Sequence, residues 1–80
     1  MTVSLEDFQL GQEALYHELG DIYKVKIIQV RGNEKTEEYK LLVLKVLRIN
    51  PEYDPESVGS VIPFSKPRNS ESNIYGRLSN

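Results

Sequence analysis

Residues 13–31 read EALYHELGDIYKVKIIQVR, and the fold turns on how this stretch divides. Two runs, Glu13–Leu19 and Ile22–Arg31, flank Gly20-Asp21, a pair suited to a two-residue hairpin loop. With that loop, Ala14 faces Ile27, Tyr16 faces Val25 and Glu18 faces Tyr23 on one side of the hairpin. On the other side Leu15 faces Lys26, His17 faces Lys24 and Leu19 faces Ile22. Side chains alternate across a strand, so the first set, apolar along most of its length, is the predicted core face. A one-residue slip would exchange core and solvent faces.

Beyond the hairpin, Gly32–Glu37 contains no apolar residue and reads as a loop. Tyr39–Ile49 is a long β run with eight apolar residues among eleven, and neither its odd nor its even positions are cleanly polar. A central strand buried on both faces has this pattern, as does a strand whose bulge switches faces midway. A leucine-rich helix is the competing reading; the β-branched content and the Asn50-Pro51 stop favour a strand. Asn50–Ser60 is a long loop, and Pro63 confines Val61–Phe64 to an edge or a strand end. From Lys66 onward the chain is polar, with Ile74, Tyr75 and Leu78 available for a short docked piece. Upstream, Ser4 with Asp7 three residues on suggests one capped turn, tacked to the core by Phe8 and Leu10.

The pattern predicts an all-β domain, a small antiparallel barrel or strongly bent sheet of four to five strands. The strands fall near 13–19, 22–31, 39–49 and 60–65, with 74–77 as the fifth. Residues 1–10 form a lead-in, 11–66 the barrel domain, and 67–80 a polar tail or short docked terminal segment. Closure would remove exposed edges in a chain too short for two packed sheets.

Eighty residues make one domain, too small for a core plus an enclosed active-site cavity of ordinary size. The chain has no cysteine, which excludes disulfides and thiolate metal sites and points to a reducing interior. Met1–Leu10 carries Glu6 and Asp7 and does not read as a signal peptide; no apolar run is long enough to span a membrane. The expected location is cytoplasmic. His17 is the single histidine, with no identifiable nucleophile or orienting acid, and no Gly-x-Gly spacing exists. Glu52, Asp54 and Glu56 lack the ligand count and glycine of a calcium loop and read as a proline-stiffened acidic turn. The expectation is a non-enzyme without metal, cofactor or small-molecule substrate.

Charge is distributed unevenly. Residues 1–21 hold five acids and no lysine or arginine, 22–49 hold seven bases against three acids, and 50–80 hold four acids against three bases. A basic middle marks either a phosphate-contacting face or cross-strand charge pairing on a solvated sheet. Two functional readings follow. The first is a protein-interaction or adaptor module, self-associating or binding another protein through outward leucines such as Leu41 and Leu47. The second is a nucleic-acid-binding module using Lys24, Lys26, Lys45 and Arg48, with Tyr16 or Tyr23 stacking on bases. The net charge of −2 weighs against the second, because phosphate neutralisation drives such binding. The tyrosines have a structural alternative, closing the end of a barrel with their hydroxyls at its rim.

Gly11-x-x-Ala14-x-Tyr16 followed by Gly20-x-x-Tyr23-x-Val25-x-Ile27 resembles the opening hairpin of Tudor-like and other SH3-like small barrels. The likeness covers about twenty residues and implies a barrel topology. It does not extend to a methyl-lysine cage: Ile22 stands where Tudor domains commonly add an aromatic, and Tyr39 is followed by Lys40-Leu41 rather than by the family's Asp-Tyr-Gly turn.

Overall fold

A computed structural model of the chain describes residues 8–52, 54–68, 70, 73 and 75–79. The expected cap at Ser4 and the contribution of Ile74 lie outside those residues. Five antiparallel strands form one sheet: β1 (Glu13–Glu18), β2 (Asp21–Gly32), β3 (Thr36–Arg48), β4 (Val61–Pro67) and β5 (Gly76–Ser79). Their order across the sheet is β4-β3-β2-β1-β5. The proline-bearing strand β4 is at an edge, as Pro63 requires.

The hairpin turns on Leu19-Gly20 rather than Gly20-Asp21. Both residues have positive φ, 50° and 89°, the backbone that matches the twist of a two-residue hairpin. Asp21 is drawn into β2 instead, its carboxylate accepting from the Tyr23 hydroxyl at 3.0 Å and from the Asn50 amide. The φ of 89° favours glycine at position 20, and a Cβ there would also press on the Asn50 side chain, 2.8 Å from its amide nitrogen. Tyr16 therefore faces Tyr23, Ala14 faces Val25, His17 faces Ile22 and Glu18 faces Asp21. The shift is two residues, an even number, so every side chain keeps the face predicted for it. Tyr16 and Val25 are buried together, while His17 is half-buried and Lys24 exposed.

The second loop is only Asn33–Lys35, because Thr36 and Glu37 join β3. Asn33 explains this: its side-chain oxygen accepts from the amides of Lys35 and Thr36, making a tight turn from a stretch that looked uniformly polar. The face-switching bulge is present. Lys24 pairs with Lys45 and Val25 with Val43, leaving Leu44 extra; Tyr23 pairs with Val46 and Ile22 with Arg48, leaving Leu47 extra. A third irregularity leaves Ile28 extra on β2. Inward positions on β3 thus run Glu37, Tyr39, Leu41, Val43 and then Val46. Without the bulge at Leu44, unbroken alternation would drive Lys45 into the core. The same alternation corrects the outward placement of Leu41, which is fully buried at 0% exposure.

The core is lined by Ala14 and Tyr16 from β1, Tyr23, Val25 and Ile27 from β2, and Tyr39, Leu41 and Val43 from β3. Ile62, Phe64 and Leu78 complete it from the edge strands. Phe8 closes over Tyr39 edge-on, ring centroids 6.0 Å apart, whereas Leu10, expected to tack the lead-in down, is 69% exposed.

The sheet is not closed, and it is strongly bent. Three strand spacings, about 14 Å in a flat sheet, separate β1 from β4. Yet the rings of Tyr16 on β1 and Phe64 on β4 lie 5.3 Å apart. Asn73 links the two edges: its side-chain nitrogen donates to the Ser65 carbonyl of β4 at 2.7 Å, and its oxygen accepts from the amides of Tyr75 and Gly76 at β5. The last strand begins at Gly76 rather than residue 74, and Leu78 is its core residue; Tyr75 remains exposed.

Gly76 sits where β5 meets the Tyr16 ring. A Cβ there would lie 2.6 Å from the His17 carbonyl oxygen and 2.8 Å from the Tyr16 hydroxyl. Gly76→Ala is therefore expected to cost about 1–3 kcal/mol through overpacking, measured by urea unfolding. A variant as stable as the wild type would show that β5 does not press on Tyr16.

Candidate functional site

The buried polar groups follow one rule. Three tyrosines each donate to an acid two positions away on their own strand: Tyr16 to Glu18 at 2.6 Å, Tyr23 to Asp21 at 3.0 Å, and Tyr39 to Glu37. Positions two apart share a face, so phenol and carboxylate enter the core side by side. Two of these pairs cap one end of the core, where Tyr16 and Tyr23 stack with centroids 6.4 Å apart. The Tyr23 hydroxyl also accepts from the Glu56 amide, tying the acidic turn to this end. Burial pushes the Tyr16 phenol above its ordinary value, and its hydrogen bond to Glu18 adds to the shift. Tyr23 is raised in the same direction, again chiefly by burial.

At the other end Glu37 meets Lys66, both buried, with Nζ 3.2 Å from Oε1. Lys66 also donates to the Ser70 carbonyl at 2.8 Å, and the Arg68 guanidinium lies 3.5 Å from the second Glu37 oxygen. Lys66, which the sequence places at the start of a polar stretch, is thus a core residue with its charge matched. These clusters hold the fold: each buried charge is engaged by neighbours from the same core. Tyr16 and Tyr23, singled out as stacking platforms for a ligand, are each only 1% exposed and face one another.

The exposed candidates gather on the opposite face. In the cross-strand register, Arg77, His17, Ile22 and Arg48 form one row; Ser79, Leu15, Lys24 and Lys45 form the next; Glu13, Lys26, Leu42 and Val61 form a third. Lys24, Lys26, Lys45 and Arg48 are therefore brought together on one side of the sheet, and Arg77, which sequence spacing alone did not single out, joins them. Lys24 and Lys45 are direct cross-strand partners, an arrangement that like charges disfavour. Lys24 has one acidic neighbour, Glu13 at 3.1 Å, in an exposed pair worth little in water. Between the bases lie Leu15, Ile22, Leu42 and Leu44, all half-covered, with Leu47 exposed at the bulge. All five strands lie in this one sheet, so no described strand covers the outer face.

His17 is the residue that a catalytic reading would need. Its Nε2 is 3.4 Å from the Ser79 hydroxyl, a long separation. Burial, and then the charge of Arg77, lowers its pKa below the ordinary 6.5. A cationic neighbour is the reverse of the carboxylate that orients and strengthens a histidine base. Among the described residues no group of three histidine, cysteine or acidic side chains is placed to hold a metal ion, and no helix is long and apolar enough to cross a membrane.

Compared with known proteins, the chain matches no family model, and no curated protein or solved structure matches it.

Two measurements check the core ends. Lys66→Ala would remove the buried cation from Glu37, leaving it the half-exposed Arg68 and the Tyr39 hydroxyl, and is expected to cost up to about 3–5 kcal/mol in denaturant unfolding; a loss below about one kcal/mol, on the order of a surface pair, would refute the buried pairing. In alkali, unfolded tyrosines ionise near 10.0 while Tyr16 and Tyr23 stay protonated, so the folded state binds more protons. Stability should hold below that pH and fall as pH rises above it, with the tyrosinate absorbance of these two residues appearing only on unfolding. Ionisation of all tyrosines near pH 10 in the folded protein would contradict their burial.

Proposed function

We propose that this protein is a small non-catalytic interaction module that binds another protein through the outer face of its sheet. The carrying observation is the direct pairing of Lys24 with Lys45 amid the half-covered leucines Leu15, Leu42 and Leu44. Side-by-side cations over partly exposed aliphatics cost the isolated domain stability, and a partner with acidic groups around an apolar centre offsets that cost. Leu47 at the rim of this face extends it. The SH3-like resemblance of the opening hairpin belongs to the same proposal; what supports it is the strand order, with the last strand beside the first, and the bend that brings Phe64 onto Tyr16.

A second reading, nucleic-acid binding, draws on the convergence of Lys24, Lys26, Lys45 and Arg48 on one face. It does so without Tyr16 and Tyr23, which are buried.

The test is retention of proteins from extract of the native host, with and without nuclease treatment, on the immobilised chain, compared with a K24E/K45E variant. Distinct partners held by the wild type and lost on charge reversal are expected, with circular dichroism unchanged between the two. Equal retention by both would refute the proposed face. Retention that disappears with nuclease treatment would move nucleic-acid binding into first place.

A further inference from the structure

Arg77, His17, Ile22 and Arg48 form the row of the outer face nearest the β1–β2 turn. They line a shallow groove of about 390 Å³, whose wall is finished by Leu19 and Tyr75. That volume falls in the range of small-molecule sites, about 300–1,000 Å³, and exceeds what a bare inorganic anion fills.

The lining carries both signs, with Arg48, Arg77 and His17 on the outer-face row and Glu18 and Asp21 at the edge. Arg77 and Arg48 stand at opposite ends of the row, with His17 and Ile22 between them. The acids at the groove's edge, Glu18 and Asp21, belong to the inner face and are engaged by the hydroxyls of Tyr16 and Tyr23. Neither arginine has an ion pair among the described residues. A single carboxylate would leave one guanidinium uncompensated, whereas a phosphate monoester carries about −1.5 to −2 charges and three acceptor oxygens. Tyr75 adds the other half of a ligand site. It is 63% exposed, although its backbone is fixed by the hydrogen bond from its amide to Asn73, so a flat ring stands beside the basic row without a core role. Exposed aromatic rings beside cations serve as stacking surfaces for bases.

We propose that this groove binds a nucleoside 5′-phosphate, the phosphate held by Arg48 and Arg77 over His17 and the base lying against Tyr75. The site is separate from the Lys24–Lys45 surface and stands or falls independently of the protein-binding reading. The same chemistry is offered by a free mononucleotide and by the 5′-phosphorylated end of a nucleic-acid strand.

The single histidine makes the site directly readable. NMR of the intact chain would follow the His17 ring protons and the Tyr75 ring protons during titration with 5′-AMP. A bound phosphate stabilises the imidazolium, so the His17 pKa is expected to rise on binding, with Tyr75 shifted by ring stacking. R48Q/R77Q should weaken binding by about tenfold or more, and Tyr75→Ala should weaken 5′-AMP while leaving inorganic phosphate unaffected. Both substitutions are at exposed positions, and an unchanged amide spectrum away from the groove confirms the fold. A 5′-phosphorylated oligonucleotide binding more tightly than its 5′-hydroxyl counterpart and than 5′-AMP assigns the strand end; equal affinity for 5′-AMP and the phosphorylated strand assigns the free nucleotide. Adenosine binding as well as 5′-AMP, shifts that persist in R48Q/R77Q, or no saturable shift with millimolar 5′-AMP would each overturn the proposal.

Discussion

The contact of Phe64 with Tyr16 is what the rest of the molecule depends on. It joins strands that a flat sheet would hold far apart, and so it converts a five-stranded ribbon into a bent sheet with an interior. Tyr16 is held on three further sides: its hydroxyl donates to Glu18, Tyr23 stacks on it, and Gly76 clears space for it at β5. A flat single layer of this length would leave its apolar face in water. Curling lets the face cover itself, which is how a short chain without disulfides secures a core.

Bending has a consequence for the outer face. The extra residues that let β2 and β3 curve are Ile28, Leu44 and Leu47, and each is aliphatic. The apolar excess of the third strand is therefore concentrated at the bulges, where side chains leave the regular alternation and stand partly in solvent. The Leu44 bulge also turns Lys45 outward, opposite Lys24. One backbone irregularity thus keeps a lysine out of the core, exposes a leucine and assembles the basic surface on which the proposed function rests.

Electrostatics divides along the same line. Three acids, Glu18, Asp21 and Glu37, sit inside or at the core ends, each accepting from a tyrosine hydroxyl, with Lys66 also on Glu37. Bases dominate the outer rows. The acidic net charge of the chain is therefore a poor guide to what its sheet presents to a partner, because part of the negative charge is buried and compensated.

Much of this was legible in the residues. Alternation in 13–31 determined the core face of the hairpin, Pro63 determined an edge strand, and the mixed pattern of 39–49 required either double burial or a bulge. The Tyr16-x-Glu18, Asp21-x-Tyr23 and Glu37-x-Tyr39 spacings carried the tyrosine–carboxylate pairs in plain view, since a period of two puts both members on one face. Other features were decided only by tertiary structure. The turn moved to Leu19-Gly20 because Asp21 gains hydrogen-bond partners in the buried Tyr23 and in Asn50, twenty-nine positions away. The inward path of Leu41, the burial of Lys66 and the convergence of Arg77 with Arg48 each depend on strand neighbours distant in sequence. Local pattern fixes which side of a strand a residue takes; which residues of other strands lie beside it is set by register, bulges and bend, and these are properties of the whole sheet.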